Sequence, residues 1–159
     1  MNRRSRILFL ALILAQAGHS IEEYSTRLYD VLAPARLVSS HVSDDRSVGF
    51  AIVNVSVVAF GGWCFFGPLL HDGRPALKLA WFWVVLELLN GCAHIVWAAS
   101  AGSYRPGLAT APILLVVALV LVGNCNIDRR QRMLPPELAL DPDAPRPSVA
   151  PAREMPTSP

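Results

Sequence analysis

Apolar residues run along the chain in four long blocks separated by short polar breaks. A helix needs about 20 predominantly apolar residues to cross a hydrocarbon core of about 30 Å. Windows of that length select residues 6–29, 49–70, 77–100 and 108–125. The last block is nearly all Leu, Val and Ala, and the second contains "AFGGW", where Gly61 and Gly62 predict either a bend or the close approach of a neighbour. Between the first two blocks, "APARLVSSHVSDDRS" reads as a polar, turn-rich loop. Residues 126–159 hold eight of the thirteen prolines and almost no aromatic residues. Such a segment buries too little to fold, which predicts a disordered tail, available to a protein partner.

Basic residues at the block ends orient the predicted spans. Arg3, Arg4, Arg6, Arg74, Lys78, Arg129, Arg130 and Arg132 fall on one side, and Arg27, Arg36, Arg46 and Arg105 on the other. The richer side is cytoplasmic. The expected fold is therefore all-α and integral to the membrane: a four-transmembrane-helix bundle with both termini cytoplasmic and a disordered C-terminal tail, multi-pass in the plasma (inner) membrane. Trp81 and Trp83 at the start of the third span and Trp97 near its end fit interfacial belts. "MNRRSR", "ILFLALILA" and "AQA" also satisfy the rules for a cleaved signal peptide, the rival reading of the first block.

Composition supports the membrane reading, with 53% hydrophobic and 16% charged residues. A net charge of +2 without a basic stripe argues against nucleic acid. Cys64, Cys92 and Cys125 form no ligand spacing and read as small buried hydrophobes.

The candidate chemistry lies where the blocks are interrupted. In "HSIEE", Glu22 and Glu23 stand three and four residues after His19, so all three side chains flank one helix face. In "ELLNGCAHIVW", Glu87, Asn90 and His94 again share a face, and the second block adds Asn54. At about 1.5 Å of rise per residue, His19 to Glu23 and His94 fall about 18 to 24 Å from the inner boundary, and Asn54 about 8 Å below the outer one. Ionised carboxylates are costly at such depths and need protons, a cation or each other's partners. Imidazole and carboxylate from facing helices form the ligand set of bundle-core iron, manganese and zinc sites.

The motif "HSIEE", the later His94 and "YRPG" at Tyr104 to Gly107 resemble, in that order, the three signatures of the HXXEE-domain family, small multi-span membrane proteins of unknown function. The resemblance covers roughly residues 5–125 and marks His19, Glu22, Glu23, His94, Tyr104, Pro106 and Gly107 as family-typical positions. It implies no reaction. Physically, Pro106 presets a turn, Gly107 lets the chain re-enter, and Tyr104 reaches inward from the outer interface.

Three functions are consistent with these features. In the first, His19, Glu22, Glu23 and His94 hold a divalent metal (Zn, Fe or Mn), and one of Glu22, Glu23 and Glu87 serves as general base in a membrane enzyme acting on a lipid-like substrate. In the second, the same groups exchange protons or a cation in a small transporter or relay. In the third, they fix helix packing in a non-catalytic interaction subunit whose tail recruits a partner.

Overall fold

The computed structural model describes residues 1–73 and 75–133, and for Arg132 the backbone alone. The predicted disorder of 134–159 lies outside the described residues. The described chain is helical, and its order is α1 (Arg3–Ser25), α2 (Leu28–Val31), α3 (Ala33–Val42), α4 (Arg46–Cys64), α5 (Ala76–Ala101) and α6 (Ala111–Met133). A π-helical turn, Phe65–Leu69, extends α4 through Pro68.

Helix ends follow local chemistry. The Asn2 side chain accepts from the Ser5 N–H at the start of α1, and Asp45 accepts from Ser47 and Val48 at the start of α4. At the other end of α1 the chain turns through Arg27 in the left-handed conformation. The helix of the first apolar block therefore ends at Ser25, and α6 starts at Ala111 and runs beyond Cys125 into residues expected to be tail.

Three helices are long and apolar enough to cross a membrane: Arg46–Leu69, Ala76–Ala101 and Ala111–Gln131. Their outward faces are apolar, with Trp63, Leu89, Val96 and Leu119 each 59–67% exposed. That inversion of the soluble pattern is what a lipid surroundings requires. The 23-residue α1 is long enough but carries Gln16, His19, Glu22 and Glu23 in its second half. It packs against both α4 and α6, and α6 packs against α5 as well.

The core between these helices is built from fully buried Phe9, Leu12, Leu69, Trp83, Leu114 and Leu121. Phe9 meets Trp83 edge-on at 6.3 Å. Trp83 is thus a core residue and not part of an interfacial belt, because it lies on the buried stripe of α5 that continues through Glu87 and His94. Cys64 and Cys125 are buried as expected, whereas Cys92 faces outward. Of the paired glycines, Gly61 serves close packing, since a Cβ there would meet Ile13 Cδ1 at 2.6 Å.

The expected loop between the first two blocks is instead mostly helix. Pro34 sits in the first turn of α3, where its missing N–H costs nothing. Leu37, Val38 and Val42 point outward from α3, which docks on α4 through Gly49. A Cβ at Gly49 would lie 2.1 Å from the Ser39 carbonyl oxygen. Gly49→Ala is therefore expected to cost about 2 kcal/mol and to free α3, read as faster amide exchange and proteolysis confined to residues 33–42.

Candidate metal centre

The site forms where the C-terminal turns of α1, the last third of α5 and the loop before α6 meet. His19 and Glu23 project from α1 one turn apart, and His94 projects from α5. Glu23 Oε1 stands 3.0 Å from His94 Nε2 and 3.3 Å from His19 Nε2. The imidazole rings cross at 83° with centroids 4.8 Å apart. All three residues are buried, at 0%, 6% and 5% exposure for His19, Glu23 and His94. One donor atom from each lies within 4.8 Å of the others, so the group can share a cation.

The loop from Gly102 to Thr110 supplies the outer wall. His94 Nδ1 lies 2.6 Å from the Pro106 carbonyl, and His19 Nδ1 lies 2.6 Å from Thr110 Oγ1. Gly107 fits beneath both rings with φ +86°. From the same loop, Arg105 stacks over Trp97 of α5 at 5.3 Å.

Glu22, next to Glu23 in sequence, faces other partners. Its Oε1 accepts from the Tyr104 hydroxyl at 2.5 Å and the Ala109 N–H at 3.0 Å. Its Oε2 accepts from the Thr110 N–H at 2.9 Å and the Thr110 hydroxyl at 2.5 Å. These donors stand at the opening of α6, where amides lack intrahelical partners and the dipole favours negative charge.

This network assigns the protons on both imidazoles. A carbonyl only accepts, so His94 Nδ1 carries the proton donated to Pro106. The Thr110 hydroxyl gives its proton to Glu22, so it accepts from His19 Nδ1–H. In the neutral rings both Nε2 atoms then present lone pairs, and both face the Glu23 carboxylate. Three acceptors converge in a buried space, and His19 Nε2 has no hydrogen-bond partner among the described residues. A positive centre, either added protons or a metal ion, resolves that arrangement.

The remaining sequence-predicted residues are placed apart from the trio. Glu87 is 1% exposed and has no hydrogen-bond partner on either oxygen among the described residues. Asn90 is half-buried about one turn further along α5. Asn54 donates to the Phe50 carbonyl within α4 at 3.1 Å and lines a groove between α1 and α4. Thr110, which carries no metal-ligand signature, had no place in the sequence reading. Its available signal is a hydroxyl residue just before Ala111 and Pro112 at the start of an apolar block, a helix N-terminal pattern.

The fold and the site define a helical protein with three helices apolar enough for a membrane and a buried His–Glu–His group. The HXXEE family, described as a protein of unknown function with HXXEE motif, matches residues 9–122, and the chain belongs to that family. No curated protein and no solved structure matches the chain.

Proposed function

We propose that this chain is a four-helix integral membrane protein that binds one divalent metal ion, zinc, iron or manganese, through His19 Nε2, His94 Nε2 and Glu23 Oε1. The observation that carries the reading is the convergence of three buried acceptors whose other hydrogen bonds leave no donor among them. The spacing supports it too. Ligand atoms about 2.0 to 2.2 Å from a tetrahedral ion lie about 3.3 Å from one another; Glu23 Oε1 stands 3.0 and 3.3 Å from the two Nε2 atoms, and all three donors lie within 4.8 Å of one another. Hydrogen bonds that orient the far nitrogen of each ring are the usual support of histidine ligands.

Membrane placement of α1 as the fourth span is supported by its outward stripe of Ile7, Leu14 and Ile21, exposed by 57%, 64% and 67%. With both termini cytoplasmic by the positive-inside rule, the site lies in the outer half of the bilayer. Three protein ligands leave a position for water or substrate, the arrangement of catalytic zinc. The metal would lower the pKa of its water and polarise a carbonyl or phosphoryl group of a lipid-like substrate. Glu22 is fully engaged, so Glu87 is the buried carboxylate free to accept a proton.

Elemental mass spectrometry of the protein, purified in mild detergent without chelator, tests the site. About one equivalent of metal per chain is expected, lost at least about tenfold in Glu23→Gln and His94→Ala. A folded wild-type protein that stays empty when zinc, iron and manganese are supplied sinks the proposal. The unpaired Glu87 beneath the trio favours a second reading, in which protons take the place of the metal and pass to Glu87. That reading predicts a metal-free protein whose proton flux in vesicles disappears in Glu87→Gln.

A further inference from the structure

Two cavities adjoin in a seam along α4, an apolar one between α1 and α4 and a charged one between α2 and the start of α4. The apolar groove, about 490 Å³, is walled by Ile21 and Tyr24 of α1 and Ala51 and Val55 of α4, with Ser20 and Asn54 among its lining. The charged basin, about 500 Å³, is bounded by Arg27, Tyr29, Asp30, Asp44 and Arg46. They adjoin at an aromatic pair, because the Tyr24 ring of the groove lies 5.9 Å from the Tyr29 ring of the basin. From Ile21 through the turn at Arg27 on one side, and from Val55 back to Arg46 along α4 on the other, the walls change from apolar to charged. Each volume is within the range of small-ligand sites, about 300 to 1,000 Å³.

The charges of the basin are unequally paired. Asp30 takes both guanidiniums, Arg27 at 3.0 Å and Arg46 at 3.4 Å, leaving two cations to one carboxylate. Asp45 is committed to the N-terminus of α4. The exposed Asp44 carboxylate makes no hydrogen bond or ion pair among the described residues. Arg27 adopts φ 58°, which L residues with long side chains rarely take, and the turn it makes sets its guanidinium over Asp30. The basin thus sets two guanidiniums on one shared carboxylate, beside a free carboxylate and an aromatic ring, and it opens onto an apolar groove.

We propose that this seam binds a zwitterionic amphiphile: its phosphate at Arg27 and Arg46, its ammonium at Asp44 and Tyr29, and one apolar chain in the groove. The inference rests on the membrane placement proposed above and names the class of lipid-like molecule brought to the site. His19 and Glu23 stand on the same turns of α1 as Ser20, Ile21 and Tyr24, so the junction of head and chain lies level with the His–Glu–His group.

The test uses full-length protein in phosphatidylglycerol vesicles, with chelator present so that binding is read independently of metal. The probe is lysophosphatidylcholine carrying a photoreactive diazirine in its chain. Adducts are expected on peptides 17–24 and 51–59, competed about tenfold better by unlabelled lysophosphatidylcholine than by lysophosphatidylglycerol. Val55→Trp, which fills the groove from an exposed position, and Asp44→Asn should each cut adducts about tenfold while vesicle flotation is unchanged. Adducts spread evenly over all outward helix faces, or equal competition by the two headgroups, overturn the proposal. A chain that fails to float with vesicles overturns the membrane placement, and this inference with it. Loss of metal binding alone leaves the labelling pattern intact.

Discussion

Glu22→Ala is expected to lower the unfolding free energy by about 3 kcal/mol, measured by denaturant titration in mild detergent. The carboxylate accepts four hydrogen bonds, from the Tyr104 hydroxyl, the Ala109 and Thr110 amides and the Thr110 hydroxyl. Removing it takes the shared charged acceptor from the opening of α6, leaving the half-buried Thr110 N–H and hydroxyl without their partner and the exposed Tyr104 and Ala109 donors to solvent. A second effect follows at the centre. Without Glu22 the Thr110 hydroxyl is free to donate to His19 Nδ1, which moves the ring proton to Nε2 and removes a lone pair from the trio. Metal content should therefore fall although Glu22 touches no metal. Glu22→Gln keeps one acceptor oxygen and should lose about 1 kcal/mol. An alanine variant as stable as the wild type would refute the anchoring role.

The same bond fixes a pH signature. The hydrogen bond to Glu22 pushes the Tyr104 phenol up from 10.0 to about 12. A raised folded pKa means the contribution is fully present below about pH 10 and is lost as pH rises through about 12. Tyr104→Phe should remove that alkaline dependence and lower stability across the neutral range, where the wild-type bond is intact.

Glu22 and Glu23 show where the sequence stops being informative. Both fall on the His19 side of α1, and spacing alone made them equal candidates as ligands. Successive helical residues point about 100° apart, so Glu23 meets His94 on α5 while Glu22 meets the start of α6. Which neighbour occupies each azimuth is a tertiary fact. Asn54 illustrates the same limit, since depth along a helix places it near the trio's level but not on the trio's side. The apolar blocks were legible because membrane-length hydrophobicity is a local property, and His19, Glu23 and His94 were legible because ionisable groups interrupt those blocks. Trp83 was misread from its position near a block end, although its spacing to Glu87 and His94 already marks the buried stripe of α5. The helix α3 was obscured by serines around Leu37, Val38 and Val42, an amphipathic pattern too short to stand out from a loop.

Gly107→Ala is expected to separate the two histidines at a cost of about 3 kcal/mol, with metal content falling about tenfold or more. A Cβ at this position would lie 2.5 Å from His94 Cε1 and Nδ1 and 2.9 Å from His19 Cε1. Neither ring can yield easily, because His94 is tied to Pro106 and His19 to Thr110, each at 2.6 Å. The backbone adds its own strain at φ +86°. Gly102→Ala separates the two causes: Gly102 also has positive φ, at +58°, but a Cβ there meets nothing within 4 Å. It should cost about 1 kcal/mol and leave the metal content unchanged from that of the wild type. Equal effects of the two substitutions would mean that backbone strain alone explains the glycine in "YRPG". A much larger effect at Gly107 would mean that the turn is built around the two imidazoles, with the absent side chain making the room in which they meet Glu23.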